Sequence, residues 1–221
     1  MSAKSFVLAQ LPGPELYDGV EFMGVEADPQ SWVSAQSDIF EDLCDKHKPT
    51  TVIEVGCHKG VSTRKWAYNI DPAGQSGKVY AVDTWLQAGD AYLNANNDWK
   101  MVYRNGHPMT YWTFLMNVKA AKQERQIVPI ILPSSEGAIV LKRHEIKAQI
   151  IYIDASHTFR AAYEDIADYW PLLESGGAML VDDLSLYPDV YAACIRFVAE
   201  NNLWKNFSPI KDGMFGLFTK E

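Results

Sequence analysis

Two groups of residues in this 221-residue chain have the types and spacing to do chemistry. The first is Glu54-Val55-Gly56-Cys57-His58-Lys59-Gly60-Val61-Ser62, preceded by the β-branched pair Val52-Ile53. An apolar run that ends in an acid and two spaced glycines reads as a buried strand turning sharply into a helix. Glycine at the turn lets the backbone bend and a ligand approach with no Cβ in the way. The dinucleotide fingerprint G-x-G-x-x-G carries a further glycine in the middle. That glycine is missing here, and Glu54 stands just before the turn, which favours a ligand bearing a cation over a diphosphate. Asp83 ends the next apolar run, Val79-Tyr80-Ala81-Val82. A carboxylate there can take charge-assisted hydrogen bonds from both hydroxyls of a ribose, or it can cap its own loop.

The second group is Asp154, His157, Asp182 and Asp183. Asp154 ends the apolar run Gln149–Ile153, and Asp182-Asp183 ends Ala178–Val181. Strand ends on one edge of a parallel sheet face a common crevice, so these side chains are expected to converge. Three carboxylates in one pocket repel one another and raise their own pKa values. A divalent cation removes that cost, and oxygen ligands completed by water suit Mg²⁺. Zinc fits less well, because no cysteine and no second histidine accompany the group. The alternative is that Asp182 and Asp183 cap the following helix and Asp154 touches only an organic ligand. Ser134 and Ser135 follow a further apolar run, Val128–Leu132. They can bond an adenine edge or start the next helix.

The elements that must position these residues follow from hydrophobic period and breakers. Strands are expected at Thr51–Val55, Lys78–Val82, Val128–Leu132, Gln149–Ile153 and Ala178–Val181. A helix is expected from Asp28-Pro29 to Lys48-Pro49 with Ile39, Phe40, Leu43 and Cys44 on one face, and another from about Val61 to Ile70. Phe159, Tyr163, Ile166 and Trp170 recur at helical spacing before Pro171, and Val190, Tyr191, Cys194, Ile195 and Val198 do so after Pro188. Lys211-Asp212-Gly213 between two apolar runs is a hairpin signal. Strands and helices in alternation give an α/β fold with a mostly parallel sheet and helices on both faces.

The chain reads as one domain, 1–221, with an N-terminal arm at 1–30 and an insertion at 86–127 between strands. The arm is expected to lie over the domain or across a partner subunit, so a homo-oligomer is in keeping with it. The insertion, rich in Tyr and Trp, is expected to form a lid or substrate wall. A formal charge of −8 argues against a nucleic-acid partner. No apolar run is long enough for a membrane span, and no signal peptide is evident. Cys44, Cys57 and Cys194 form no C-x-x-C pair, as expected of reduced thiols in a cytoplasmic protein.

The turn around Glu54, Gly56 and Gly60 resembles the first motif, E/D-x-G-x-x-x-G, of class I S-adenosylmethionine-dependent methyltransferases. Asp83-Thr84-Trp85, the stretch Pro108…Tyr111…Phe114–Val118, Tyr152–His157, Asp165, Tyr169–Leu173, Gly176-Gly177 and Asp182-Asp183 occur in order. Together, over residues 50–185, they resemble the bacterial group that includes metal-dependent O-methyltransferases of macrolide sugars and cephalosporin hydroxylase-like relatives. The resemblance implies a Rossmann-like, seven-stranded sheet with a C-terminal antiparallel hairpin. It implies that S-adenosylmethionine meets Glu54 at its amino group, Gly56 and Gly60 at the turn, and Asp83 at the ribose. Ser134 or Ser135 would meet the adenine edge, with Ser62, Thr84 and Asp154 completing the donor site. It further implies Mg²⁺ on Asp154, Asp182 and Asp183, with Asp154 and His157 catalytic and His157 the base. The acceptor would be a hydroxyl of a sugar or another small molecule. Many members have Glu where this chain has Asp182, and the extra N-terminal domain of some members has no counterpart here. Alternatives are a metal-independent small-molecule methyltransferase acting on nitrogen or carboxylate, a cofactor-binding module without catalysis, or a nicotinamide enzyme.

Overall fold

The computed structural model describes residues 11–28, 37–86 and 102–221. Seven strands form one sheet: β1 (Thr51–Val55), β2 (Lys78–Asp83), β5 (Ile127–Ile131), β6 (Ala148–Ile153), β7 (Leu173–Val181), β8 (Phe207–Ile210) and β9 (Phe215–Thr219). Their spatial order is β5-β2-β1-β6-β7-β9-β8. The first five are parallel and β9 and β8 are antiparallel. This is the expected α/β, Rossmann-like architecture with its C-terminal hairpin. The chain runs outward from β1 through β2 to β5, then returns to β6 on the other side of β1. The crevice therefore opens between the C-terminal ends of β1 and β6, where the strand order reverses.

Helices cover both faces. One face carries α1 (Ser37–His47), α2 (Val61–Ile70) and α3 (Thr110–Ala120); the other carries α4 (Ser134–Arg143), α5 (Phe159–Tyr169) and α6 (Pro188–Asn201). Alternation along β1 sends Val52 into the first core and Ile53 and Val55 into the second. Phe40, Trp66 and Tyr152 meet in the first core, their ring centroids 4.1–5.8 Å apart. Burying a large apolar side chain of this kind contributes about 1.5–3 kcal/mol.

The helical faces differ in part from those read off the spacing. On α6 the buried positions are Val190, Ala193, Cys194, Phe197 and Val198, and Tyr191 is exposed. On α5 they are Ala162, Asp165, Ile166 and Tyr169, and Phe159 is exposed. In both cases an aromatic in the first turn of the helix is left exposed. β7 starts earlier than expected, running through Gly176-Gly177 with a bulge against β6 between Ala148 and Ile150. Of the expected start of α1 at Asp28-Pro29, Asp28 is described and lies outside any helix, whereas residues 29–36 and most of the first half of the 86–127 insertion lie outside the described residues. The described part of the insertion is a short hairpin, β3 (Tyr103–Arg104) with β4 (His107–Pro108), followed by α3. Among the described residues no helix is long and apolar enough to cross a membrane.

Candidate active site

The glycine turn sits at the mouth of the crevice. Gly56, His58 and Gly60 all have positive φ, 84°, 45° and 79°. A Cβ on Gly56 would lie 2.0 Å from the carbonyl oxygen of Asp154, and one on Gly60 would lie 2.7 Å from a Phe114 ring carbon. The glycines thus allow close protein packing as well as the bend that opens the turn. Asp83, at the end of β2, holds that bend. Its Oδ2 accepts from the amides of Cys57 (2.8 Å) and His58 (2.9 Å), and its Oδ1 from the amide of Trp85 (2.7 Å). An ionised carboxylate has about four acceptor positions, so capping the loop and accepting ribose hydroxyls are compatible roles. Thr84 is partly buried, its Oγ1 accepting from the amide of Leu86 at 3.2 Å.

Glu54 is fully buried on β1, where alternation places it on the side of Ala81 and Tyr152, its partners in register. The Ser62 hydroxyl donates to its Oε1 and the Thr63 hydroxyl lies close to the carboxylate, while Oε2 has no well-aligned donor among the described residues. Burial, with help from the Asp83 charge and against the Ser62 and Thr63 hydroxyls, pushes its pKa up to about 7. A buried carboxylate oxygen without an aligned donor is an acceptor waiting for one, and an ammonium group supplies both donor and countercharge. The neighbouring titratable groups are quiet by contrast. Burial pushes His58 down to about 4, so its imidazole is neutral at physiological pH, and burial pushes the Cys57 thiol well up.

The second group is tighter than the first. Asp154, His157 and Asp183 each offer a ligand atom, and these atoms lie within 4.8 Å of one another. His157 Nε2 is 3.0 Å from Asp183 Oδ2, an ion-pair contact that is out of line for a hydrogen bond. Partial burial and then the charges of Asp182, Asp183 and Glu54 push the Asp154 carboxyl well above the ordinary range. The mutual repulsion expected from the sequence is therefore present. The charges of Glu54, Asp83 and Asp154 all bear on Cys57, so the two groups share one crevice. Asp182 lies beside this cluster and not in it. It is buried, and its Oδ2 accepts from the Tyr152 hydroxyl while its Oδ1 accepts from the amide of Asp183 at 2.7 Å. The Tyr152 hydroxyl also donates to Asp154 Oδ2 at 3.2 Å. The triad expected for the metal is thus divided: Asp154 and Asp183 stay together, His157 joins them, and Asp182 braces them through Tyr152 and the backbone.

Beyond β5 the chain leaves the same sheet edge, since Asp83 and Ile131 are paired. Ser135 is exposed, and Ser134 is half-buried beside Asp165, a carboxyl that burial pushes up to about 6. Neither serine caps α4 through its side chain; Pro133 occupies that position.

The sequence reading missed a strap across the turn. Asp28 pairs with buried Lys59 at 2.6 Å. Asn117 Oδ1 accepts from the amide of Asp28 (2.8 Å), and its Nδ2 donates to the carbonyls of Asp28 (2.9 Å) and Lys59 (2.8 Å). Arg104, on β3, donates to the carbonyls of Met23 and Gly24. A cavity of about 460 Å³ lies between this strap, Lys59 and the start of α3.

The model of a methyltransferase domain family matches residues 53–184. The chain belongs to this family. It is an S-adenosylmethionine-dependent methyltransferase with the Rossmann-like fold of that class. Solved structures agree on the fold at low identity. An O-methyltransferase from Bacillus cereus in complex with SAH has a TM-score of 0.59 at 11% identity, over 97% of this chain and 92% of that one. CalS11, a calicheamicin methyltransferase, has a TM-score of 0.63 at 14% identity, over 98% and 88%. TomG from Streptomyces achromogenes, an O-methyltransferase of tomaymycin synthesis in complex with SAM, has a TM-score of 0.60 at 12% identity, over 99% and 94%. No curated protein matches the sequence.

Proposed function

We propose that this methyltransferase acts on a hydroxyl of a small molecule, a sugar or another acceptor bearing neighbouring oxygens, with a divalent cation such as Mg²⁺. The observation that carries the reading is the convergence of Asp154, His157 and Asp183 at the crevice that Glu54 also enters. O-methyltransferases among the structural neighbours support the choice of oxygen.

S-adenosylmethionine supplies an electrophilic methyl group, and a divalent cation supplies Lewis acidity and a template for oxygen ligands. Glu54 would hold the donor's ammonium through Oε2, and Asp83 its ribose, while Ser62, Thr84, Ser134 and Ser135 line the remaining path. Asp154 and Asp183 are the residues that would hold the cation, with His157 beside them serving as base and not as ligand. Asp182 would act at one remove, fixing Asp183 through its amide. An alcohol is almost wholly protonated at neutral pH, so the acceptor needs a base. His157 would take the hydroxyl proton as the oxygen forms its bond to the methyl carbon and the sulfur–carbon bond breaks. Asp183 at 3.0 Å favours the imidazolium that results. Much of the rate would come from alignment of the three reacting atoms.

The test is transfer of labelled methyl from S-adenosylmethionine to a panel of catechols and glycosides, with Mg²⁺ and after exhaustive EDTA. Transfer to oxygen that EDTA abolishes and Mg²⁺ restores is the expected result. Undiminished transfer after EDTA would remove the cation from the scheme. A metal-independent reading draws on one observation: His157 already pairs with Asp183, the arrangement of a base oriented by an acid.

A further inference from the structure

Tyr187 belongs to neither group of residues picked out by sequence, yet its ring lies flat on that of His157. The centroids are 3.9 Å apart and the planes differ by 7°. We propose that Tyr187 is a positioning residue, which clamps the His157 imidazole with Nε2 turned to Asp183. This rests on the reading of His157 as the base.

The clamp is built by one turn. Asp183 has a positive φ of 63°, a conformation that costs a non-glycine residue energy and so needs support from its surroundings. The support is its own carbonyl, which accepts from the amides of Leu186 (3.2 Å) and Tyr187 (3.0 Å). The Tyr187 carbonyl in turn accepts from Val190 (3.0 Å) and Tyr191 (3.3 Å), and Pro188 starts α6 with its φ fixed. The Tyr187 backbone is therefore held on both sides. Asp183 reaches the imidazole at its edge and Tyr187 at its face, from the two ends of a five-residue turn.

The other half of the stack is fixed to the same frame. Thr158, next to His157, caps α5 by accepting from the amide of Ala161 at 3.4 Å. Asp189, in the first turn of α6, accepts from the amide of Phe159 at 3.2 Å. That bond ties the start of α5 to the start of α6, and so His157 to Tyr187. An imidazole on a loop can pivot about its last side-chain bond, where the torsional wells are broad. A parallel ring against one face removes that freedom, while the carboxylate at the edge selects the rotation that remains. Displacing a catalytic group by about 1 Å can cost on the order of 100-fold in rate.

The test reads the ring itself. Long-range ¹H–¹⁵N spectra of the five histidines, recorded metal-free where imidazole is neutral, report the tautomer of each. His157→Gln assigns the signal. Wild type and Tyr187→Phe should show His157 in a single tautomer, and Tyr187→Ala a mixture of both. The other four signals and SAH affinity should not move, which shows that the fold is kept. In methyl transfer, Tyr187→Ala should lower kcat by roughly 10–100-fold with the KM for S-adenosylmethionine unchanged. It should add nothing in a His157→Ala background. An unmixed tautomer in Tyr187→Ala, or a Phe substitution that fails to restore it, overturns the inference. A His157→Ala enzyme at full turnover would instead sink the base role while leaving the tautomer result standing.

Discussion

Replacing Glu54 by glutamine should make the protein more stable and its donor site worse, with a pH dependence set by the buried carboxyl. Burial raises the group from an ordinary 4.5 to about 7. Between those values the folded chain holds a proton that the unfolded chain has released. Stability therefore falls as pH rises through that window, by about 1.4 kcal/mol per pH unit at most. The full cost above pH 7 is on the order of 3 kcal/mol. Below about pH 4.5 it vanishes, because both states are protonated. Glutamine keeps the shape and the Ser62 contact but never ionises. For a chain of this size, about 3 kcal/mol corresponds to roughly 6–12 °C in Tm. Thermal unfolding of wild type and Glu54→Gln at pH 8 and pH 5 reads the difference directly: a gain of that order at pH 8, most of it gone at pH 5. Calorimetry with S-adenosylmethionine supplies the other half. Loss of a charge-assisted bond to the donor's ammonium should weaken binding by about 10- to 150-fold. Wild-type binding should tighten as pH rises past 7 and release a proton below it. An equal Tm difference at both pH values, or unchanged donor affinity in the variant, would refute the reasoning.

His157→Ala should lower turnover by roughly 10²–10⁴-fold with acceptor saturating; a drop under about threefold in a coupled SAH assay rules out the base. Asp183→Asn should abolish Mn²⁺ binding followed by EPR, whereas Asp182→Asn, acting through its neighbours, should weaken it by about 10- to 100-fold. Equal loss in the two variants would put Asp182 among the direct ligands. Gly56→Ala forces a Cβ to within 2.0 Å of the Asp154 carbonyl oxygen at a φ of 84°. Chemical unfolding should show a loss of several kcal/mol, about 3 or more; a loss under about 1 kcal/mol would mean the strand ends can part.

The sheet was legible because its parallel strands announce themselves twice, by β-branched apolar runs and by the acid, glycine or proline that follows them. The face of a short helix is less legible. On α6 Tyr191 stands at helical spacing from buried Cys194, as Ala193 does from Phe197, yet Tyr191 is exposed, and spacing alone does not tell the two apart. The donor-side turn could be read from Glu54, Gly56 and Gly60, since the backbone bend is local. The fate of Asp182 could not. Tyr152 pairs with Leu180 across β6 and β7, so alternation sets Asp182 on the Tyr152 side and Asp183 beyond it. Two adjacent acids then differ by a register that no single segment contains. The strap of Asp28, Lys59, Arg104 and Asn117 was invisible for the same reason: its bonds join positions up to 89 apart.

That strap ties the leading segment of the chain to the donor loop. Lys59, buried within the glycine turn, takes a countercharge from Asp28, and Asn117 holds both backbones in place. Trimming the first 28 residues as a dispensable tail would leave a lysine ammonium without that carboxylate on the turn proposed to face the methyl donor. An N-terminal truncation chosen for convenience would then be an electrostatic mutation of the donor pocket, and a shortened protein that folds but binds its donor poorly would have its explanation there.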